Sequence, residues 1–282
     1  MTIKRLGIVG SGIMGSGIAE VAAKAGVEVI LRSRQQSTAD AMVASLAKSL
    51  DKQVEKGRLE QAERDQIAQR VTGTHDLHAL TDCDLVLESV VEDLAVKKEL
   101  FRQLDLVVKD DAILATNTST LPVVELAVVT ERPERVCGIH FFNPAPMMSL
   151  VEIVRPLTAS DETIETAKAF ATACGKGPVE VKDRAGFIVN ALLFPYLNNA
   201  VRMLETATAT KDDIDAAMKG GCNFPMGPLA LLDLVGLDTS LAILDALYDE
   251  FRDPNYAAVP TLRRMVAAGH LGRKTKQGFY SY

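Results

Sequence analysis

Near the start of the chain a short apolar run, Leu6 to Val9, leads directly into Gly10-Ser11-Gly12-Ile13-Met14-Gly15, and an alanine-rich amphipathic stretch continues from Ile13 to Ala25. Glycines spaced GxGxxG between a buried strand and a helix leave little choice of fold. The first permits a tight turn, the second lets a pyrophosphate approach the backbone, and the third lets the helix pack closely on the strand. The helix then aims free N–H groups and the positive end of its dipole at the phosphates. A lone match is weak, but a strand before it and a helix after it make it a dinucleotide-binding motif. Gly10, Gly12, Ile13, Met14 and Gly15 are therefore candidate cofactor-binding residues. Gly26 ends the helix, and Val27 to Leu31 is a second apolar run. The opening is a βαβ unit, of the kind that builds parallel sheets.

Further apolar runs follow at Leu85 to Leu87, Ala112 to Ala115, Val136 to Ile139 and Leu150 to Val154, with helical stretches such as Leu94 to Val108 between several of them. The last two runs have little between them, which predicts a hairpin or antiparallel edge. The stretch from about Thr38 to Arg70 reads as two helices broken near Gly57. From about Asp183 strand-like runs disappear, and helical patterns dominate at Phe187 to Thr206, Lys211 to Met218, Leu229 to Glu250 and Thr261 to Gly269. The expected architecture is α/β: a Rossmann-type dinucleotide-binding domain over residues 1–184, with the helical insertion at about 38–70, followed by an all-α domain over 185–282.

The 282 residues are 48% hydrophobic and 24% charged, a balance that supports a sizeable core. A net charge of -6 argues against general binding to nucleic acid or an anionic membrane. Cys83, Cys137, Cys174 and Cys222 show no metal-type spacing and read as reduced thiols, so no metal site is expected. No apolar run is long enough for a membrane span, and the N-terminus shows no secretion signal. The expected compartment is the cytoplasm.

Which dinucleotide is bound turns on the end of the second strand, where NAD-binding folds usually place a carboxylate on the ribose 2′-hydroxyl. Here the stretch is Leu31-Arg32-Ser33-Arg34. A 2′-phosphate would meet no repelling carboxylate, Ser33 can donate a hydrogen bond, and Arg34 can pair with the charge. This reading favours NADP(H) over NAD(H). The other reading makes Arg32 and Arg34 solvated surface residues, with NAD held elsewhere.

Hydride transfer to or from an alcohol carbon needs a group that moves the hydroxyl proton, and histidine suits it. Of the four histidines, His75 and His78 lie in a polar turn-like stretch and His270 has no obvious partner. His140 closes an apolar strand, where ligand crevices form in open α/β sheets. Glu152, flanked by apolar residues in the next run, needs a partner if buried, and His140 can supply it. From spacing alone an edge-strand glutamate with a structural histidine stays open.

With these residues in view, the chain resembles the L-3-hydroxyacyl-CoA dehydrogenases, especially the short bacterial branch acting on 3-hydroxybutyryl-CoA. The likeness runs along nearly the whole chain: GSGIMGSGIA at 10–19, Glu88 to Glu92, NTST at 117–120, HFFNPAP at 140–146, LVEIV at 150–154, GFIVNALLFPYLNNA at 186–200, PMGPLALLDLVGLD at 225–238 and LGRKTKQGFYSY at 271–282. The resemblance implies reversible reduction of acetoacetyl-CoA to the (S)-3-hydroxy thioester with a nicotinamide cofactor. It implies His140 as general acid/base oriented by Glu152, with Ser119 and Asn190 hydrogen-bonded to the reacting oxygen. It further implies that Glu92, Lys97, Asn117, Ser119, Asn143 and Lys274 line the cofactor, and that the helical domain forms a homodimer.

The pattern departs in three places. The usual aspartate at the ribose position is Ser33. The helical hairpin that meets CoA reads Asp51-Lys52-Gln53-Val54-Glu55-Lys56, leaving Lys52, Lys56 or Arg58 as candidates for its phosphates. The usual K-[ST]-G pattern becomes Lys274-Thr275-Lys276, which puts the local turn in doubt. Rival readings are a relative acting on acyl-carrier protein, a nicotinamide-binding protein without catalysis, and a two-domain hydroxyacid or imine dehydrogenase using lysine in place of the His–Glu pair.

Overall fold

Apolar runs without polar alternation are buried on both faces, and the first unit is built from such strands. The computed structural model describes residues 2–282, which divide into two units, one running up to Asp183 and the other from Arg184 to Tyr282. In the first, β1 (Arg5–Val9), β2 (Glu28–Arg32), β3 (Val71–Thr74), β4 (Leu85–Glu88), β5 (Ile113–Thr116), β6 (Val136–Phe141), β7 (Leu150–Arg155) and β8 (Gly177–Lys182) form one sheet in the order β3-β2-β1-β4-β5-β6-β7-β8. All neighbours pair in parallel except β6 and β7, the expected antiparallel hairpin.

The order runs outward in both directions from β1 and β4, so the turns after these strands diverge and leave a crevice at their C-terminal ends. The glycine turn occupies that point. Gly10 has a φ of +142°, and a Cβ on it would lie 2.2 Å from the Ser89 carbonyl oxygen in the turn after β4. Helices α1 (Ile13–Lys24), α2 (Gln36–Glu55), α3 (Gln61–Gln69) and α6 (Asp161–Ala173) share one apolar layer with Leu6, Ile8, Val29, Leu31, Ile139 and Ile153 of the sheet. α4 (Leu94–Val107) and α5 (Val124–Ala127) pack against β5 and β6 from outside that layer.

β3 and β8 have no counterpart among the strands expected from apolar runs. Both are edge strands, and edges need no continuous apolar run. β3 reads Val-Thr-Gly-Thr, and a Cβ on Gly73 would come 2.9 Å from the Ala39 carbonyl oxygen of α2. β8 carries Pro178, which is tolerated at an edge.

The second unit contains α7 (Val189–Glu205), α8 (Lys211–Cys222), α9 (Pro228–Val235), α10 (Leu237–Phe251) and α11 (Pro260–Ala267) around Phe194, Leu197, Val201, Leu232, Leu244 and Leu262. The stretch expected as one helix from Leu229 to Glu250 is two, because Gly236, at φ +101°, breaks it. Buried carboxylates tie the ends together. Asp215 accepts the Leu229 and Ala230 N–H groups that open α9, at 2.8 and 3.0 Å. Asp233 accepts the Phe279 and Tyr280 N–H groups at 2.9 and 2.8 Å and the Tyr282 hydroxyl at 3.1 Å. In the turn that departs from K-[ST]-G, Lys276 takes a left-handed φ of +58°, the conformation glycine would adopt without strain.

Asp233→Ala leaves two chain-terminal N–H groups without their acceptor and is expected to cost roughly 2–4 kcal/mol. The check is a fall of several degrees in Tm together with faster carboxypeptidase release of the C-terminal residues. An unchanged Tm would remove Asp233 from this role.

Candidate active site

The register of the single antiparallel pair places His140 directly opposite Glu152. Residues opposed across two strands point to the same face, so the imidazole and carboxylate meet without help from a loop. His140 Nδ1 and Glu152 Oε2 are 2.8 Å apart, and the two side chains are 5% and 1% exposed. An ionised carboxylate only accepts, so Nδ1 carries the hydrogen and Nε2 is left to face the crevice. Nε2 lies 3.1 Å from Ser119 Oγ. The Phe142 ring covers the imidazole at 4.6 Å between centroids.

Ser119 sits in the turn after β5, and its position is set by groups on two neighbouring strands. Glu92, past the end of β4, accepts the Thr118 hydroxyl and, at 3.0 Å, the Ser119 N–H. Burial alone would raise the Glu92 carboxyl, but Lys97, Thr118 and Ser119 outweigh it and hold it below its ordinary value. Lys97 Nζ lies 3.2 Å from Glu92 and 2.7 Å from Glu88. Glu88 also accepts the Thr116 hydroxyl at 2.7 Å and the Val90 N–H at 2.5 Å. Asn117 Oδ1 accepts the Phe141 N–H at 2.8 Å, joining the serine turn to the histidine strand.

The glycine turn can be tested for its fit to a dinucleotide. Gly10 is required by the Ser89 carbonyl oxygen, and a Cβ on Gly15 would lie 3.0 Å from the Gly10 carbonyl oxygen. A Cβ on Gly12 would meet nothing within 4 Å, and its φ of −82° suits any residue. The protein itself gives no reason for glycine there, whereas a pyrophosphate against the backbone does. The first turn of α1 has no side-chain cap and no acidic residue, so its N–H groups suit an anion. Ile13 is 80% exposed beside them.

At the end of β2, Ser33 is buried and its N–H donates to the Thr74 carbonyl oxygen at 3.0 Å. Arg32 Nε donates to the His75 carbonyl oxygen at 3.3 Å, and Arg34 is exposed. Burial, then repulsion from Arg34, lowers the Arg32 guanidinium, with Asp76 opposing. Lys52 and Lys56, at the outer end of α2, are exposed.

The first unit thus brings together His140, Glu152, Ser119, Glu92, Lys97 and Asn117. Asn143 is exposed in the loop after β6, bonded to Pro144 through a cis peptide. Lys97 is 1% exposed and stands behind Glu92. Asn190, buried in the first turn of α7, and Lys274, whose Nζ lies 2.5 Å from both carboxylate oxygens of Asp238, belong to the second unit. Glu88 and Thr118 were not singled out as site residues by sequence reasoning. The signals for Glu88 were a carboxylate ending an apolar run and its place in the Glu88 to Glu92 block; Thr118 lay in the NTST block. Among the described residues no cluster of His, Cys, Asp and Glu is arranged to hold a metal ion, and no helix is long and apolar enough to cross a membrane.

Two family profiles cover this chain: "3-hydroxyacyl-CoA dehydrogenase, NAD binding domain" matches residues 5–184 and "3-hydroxyacyl-CoA dehydrogenase, C-terminal domain" matches 186–282. A 3-hydroxybutyryl-CoA dehydrogenase of Mycobacterium tuberculosis is 49% identical over 282 residues, covering 99% of each chain. That of Clostridioides difficile is 48% identical over 278 residues, again covering 99% of each. The crystal structure of (S)-3-hydroxybutyryl-CoA dehydrogenase from Ralstonia eutropha superposes with a TM-score of 0.97 at 42% identity, covering 100% of this chain and 99% of that one. The chain belongs to the 3-hydroxyacyl-CoA dehydrogenase family.

Proposed function

We propose that the protein is a 3-hydroxybutyryl-CoA dehydrogenase, reversibly reducing acetoacetyl-CoA to (S)-3-hydroxybutyryl-CoA. The observation that carries this reading is the buried His140–Glu152 pair, with Ser119 at the second imidazole nitrogen. When bound, a nicotinamide cofactor supplies or accepts the hydride at C3. Ser119 donates a hydrogen bond to the C3 oxygen and polarises the ketone as negative charge develops there. His140 Nε2 delivers the proton to that oxygen in the reducing direction and takes it back in the oxidising one. Glu152 fixes the tautomer and offsets the charge of the ring when both nitrogens are protonated. Asn190 as a further donor to the oxygen, and Lys274 at the cofactor, rest on the family pattern alone.

The turn from Gly10 to Gly15, with Ile13 and Met14, is assigned to the pyrophosphate end of the cofactor. Glu92, Ser119, Asn117 and Asn143 are assigned to its ribose and nicotinamide, and Lys97 acts there through Glu92. The cofactor is NADP(H) in preference to NAD(H). Supporting this, Arg32 and Arg34 are close enough to repel one another at the end of β2, and no carboxylate stands at Ser33. Lys52 and Lys56 are assigned to the phosphates of CoA. The second unit is assigned to a homodimer interface with a second copy of this chain, because α7 leaves Leu192 71% and Met203 44% exposed. The compartment is the cytoplasm.

Absorbance at 340 nm with acetoacetyl-CoA and each reduced cofactor tests the reaction. His140→Ala is expected to lower kcat about 10³-fold, and Glu152→Gln to lower it on the order of 10²-fold. A His140→Ala variant within tenfold of the parent would sink the catalytic assignment. In the same assay KM is expected to be lower for NADPH than for NADH, and Ser33→Asp should reverse the order. A parent preferring NADH severalfold overturns the cofactor choice and leaves the reaction standing.

A further inference from the structure

Lys176 lies between α6 and β8, carries none of the roles assigned above, and is only 9% exposed. A buried ammonium is costly unless its hydrogen-bonding capacity is met. Among the described residues Lys176 forms no ion pair. Its Nζ donates to the carbonyl oxygens of Ala145 and Met148, at 2.7 and 2.8 Å. Burial pulls the ammonium below the usual lysine range, with Cys174 opposing and Lys24 adding to the effect.

Both acceptors belong to the loop that joins β6 to β7, which begins just after His140 and carries Phe142 and Asn143. That loop has little else to hold it. Pro144, Pro146, Met147, Met148 and Ser149 are exposed, and the loop's own bonds are two turn contacts from the Met147 and Met148 N–H groups to the Pro144 carbonyl oxygen, at 2.9 and 3.1 Å. Ala145 is its buried anchor, and it lies against α1: a Cβ on Gly17 would come 3.3 Å from both Ala145 Cβ and Pro146 Cδ. The Gly177 N–H donates to the Ser149 carbonyl oxygen at 2.7 Å, closing the far end of the loop beside Lys176. Lys176 therefore draws the loop from behind, while the helix that opens with the glycine turn supports it from the other side.

The geometry points to Lys176 as a positioning residue that clamps the loop of residues 142–149 onto α1 and so sets Asn143 against the bound cofactor. This rests on the cofactor assignment above. His140 is held independently, by strand pairing with Glu152, so the clamp acts on cofactor affinity more than on proton transfer. An ammonium is suited to the task because it has donors for two carbonyls at once and no acceptor of its own.

The test compares Lys176→Met and Lys176→Arg with the parent, with three readouts: the dissociation constant for reduced cofactor by fluorescence titration, the split between cofactor KM and kcat, and amide hydrogen exchange of the peptide spanning residues 141–150. Lys176→Met is expected to raise the dissociation constant and KM about tenfold with kcat within about threefold, and to speed exchange in the loop. Lys176→Arg, which keeps the charge and has donors enough for both carbonyls, is expected to recover most of the affinity. If Lys176→Met loses Tm while cofactor affinity stays within twofold, Lys176 is structural only and the proposal falls. If Lys176→Met does not fold, Lys176→Gln, with donors on a shorter side chain, takes its place under the same criteria. Failure of the parent to reduce acetoacetyl-CoA would overturn the reaction assigned above, and the affinity and exchange readouts would still decide the clamp.

Discussion

Glu152 is buried, and a carboxylate in that position requires a partner. The partner comes from strand register. β6 and β7 are antiparallel with His140 opposite Glu152, and a slip of one residue would turn one of the two side chains to the other face of the sheet. The register is guarded nearby: Gly138 faces Val154, and a Cβ on Gly138 would come within 2.7 Å of Val154 Cβ. The Asn117 side chain adds a second lock by accepting the Phe141 N–H. The orientation of the imidazole is thus a property of the sheet. Loops can vary or move without changing which nitrogen faces the crevice.

A second set of buried charges frames the serine. Glu88 and Lys97 are 0% and 1% exposed, and Glu92 reaches outward from them to the turn that holds Ser119. Buried ion pairs contribute little net stability once desolvation is counted, so their effect is better sought in geometry. Here the effect is positional. Glu88 joins the ends of β4 and β5 through Thr116, Lys97 links it to Glu92, and Glu92 sets the backbone at Ser119. Ser119 and His140 thus stand at the ends of two neighbouring strands, β5 and β6, each held by a carboxylate that accepts from it, Glu92 and Glu152. Asp183 extends the pattern by accepting the Val123 and Val124 N–H groups just beyond the serine turn, at 2.9 and 2.7 Å.

Much of this was legible in the residues, and what was not has physical reasons. The central strands announced themselves as apolar runs because burial on both faces demands them. The edge strands β3 and β8 did not, since an edge tolerates Thr, Gly and Pro. The break at Gly236 was hidden inside an apolar periodicity that continues through it. The glycine turn could be read because its glycines answer separate demands: φ and close approach at Gly10, tight packing at Gly15, and open space over the backbone at Gly12. The His140–Glu152 pair was legible as a hypothesis only: spacing placed both on adjacent strands, but pairing depends on register, which sequence does not carry. Lys97 was expected at the cofactor from the family pattern alone, and the structure buries it between Glu88 and Glu92, contacts that spacing does not reveal. Lys176 gave no signal at all, because its partners are carbonyl oxygens, which every residue carries.

The helical insertion follows the same logic of fixed interior and free exterior. Glu20, buried on α1, accepts from Ser49 and Gln53 of α2 at 2.8 Å each and from Lys24 at 2.8 Å. Burial alone would raise the Glu20 carboxyl, yet these three donors hold it below its ordinary value, so the anchor is ionised. Leu46 and Leu50 add an apolar footing on the same helix. Beyond that footing Lys52, Lys56 and Arg58 are exposed. A flexible hairpin carrying the same cations would lose entropy each time it met an anionic ligand. Tying its base to α1, the helix that opens with the glycine turn, fixes where these cations stand relative to that turn.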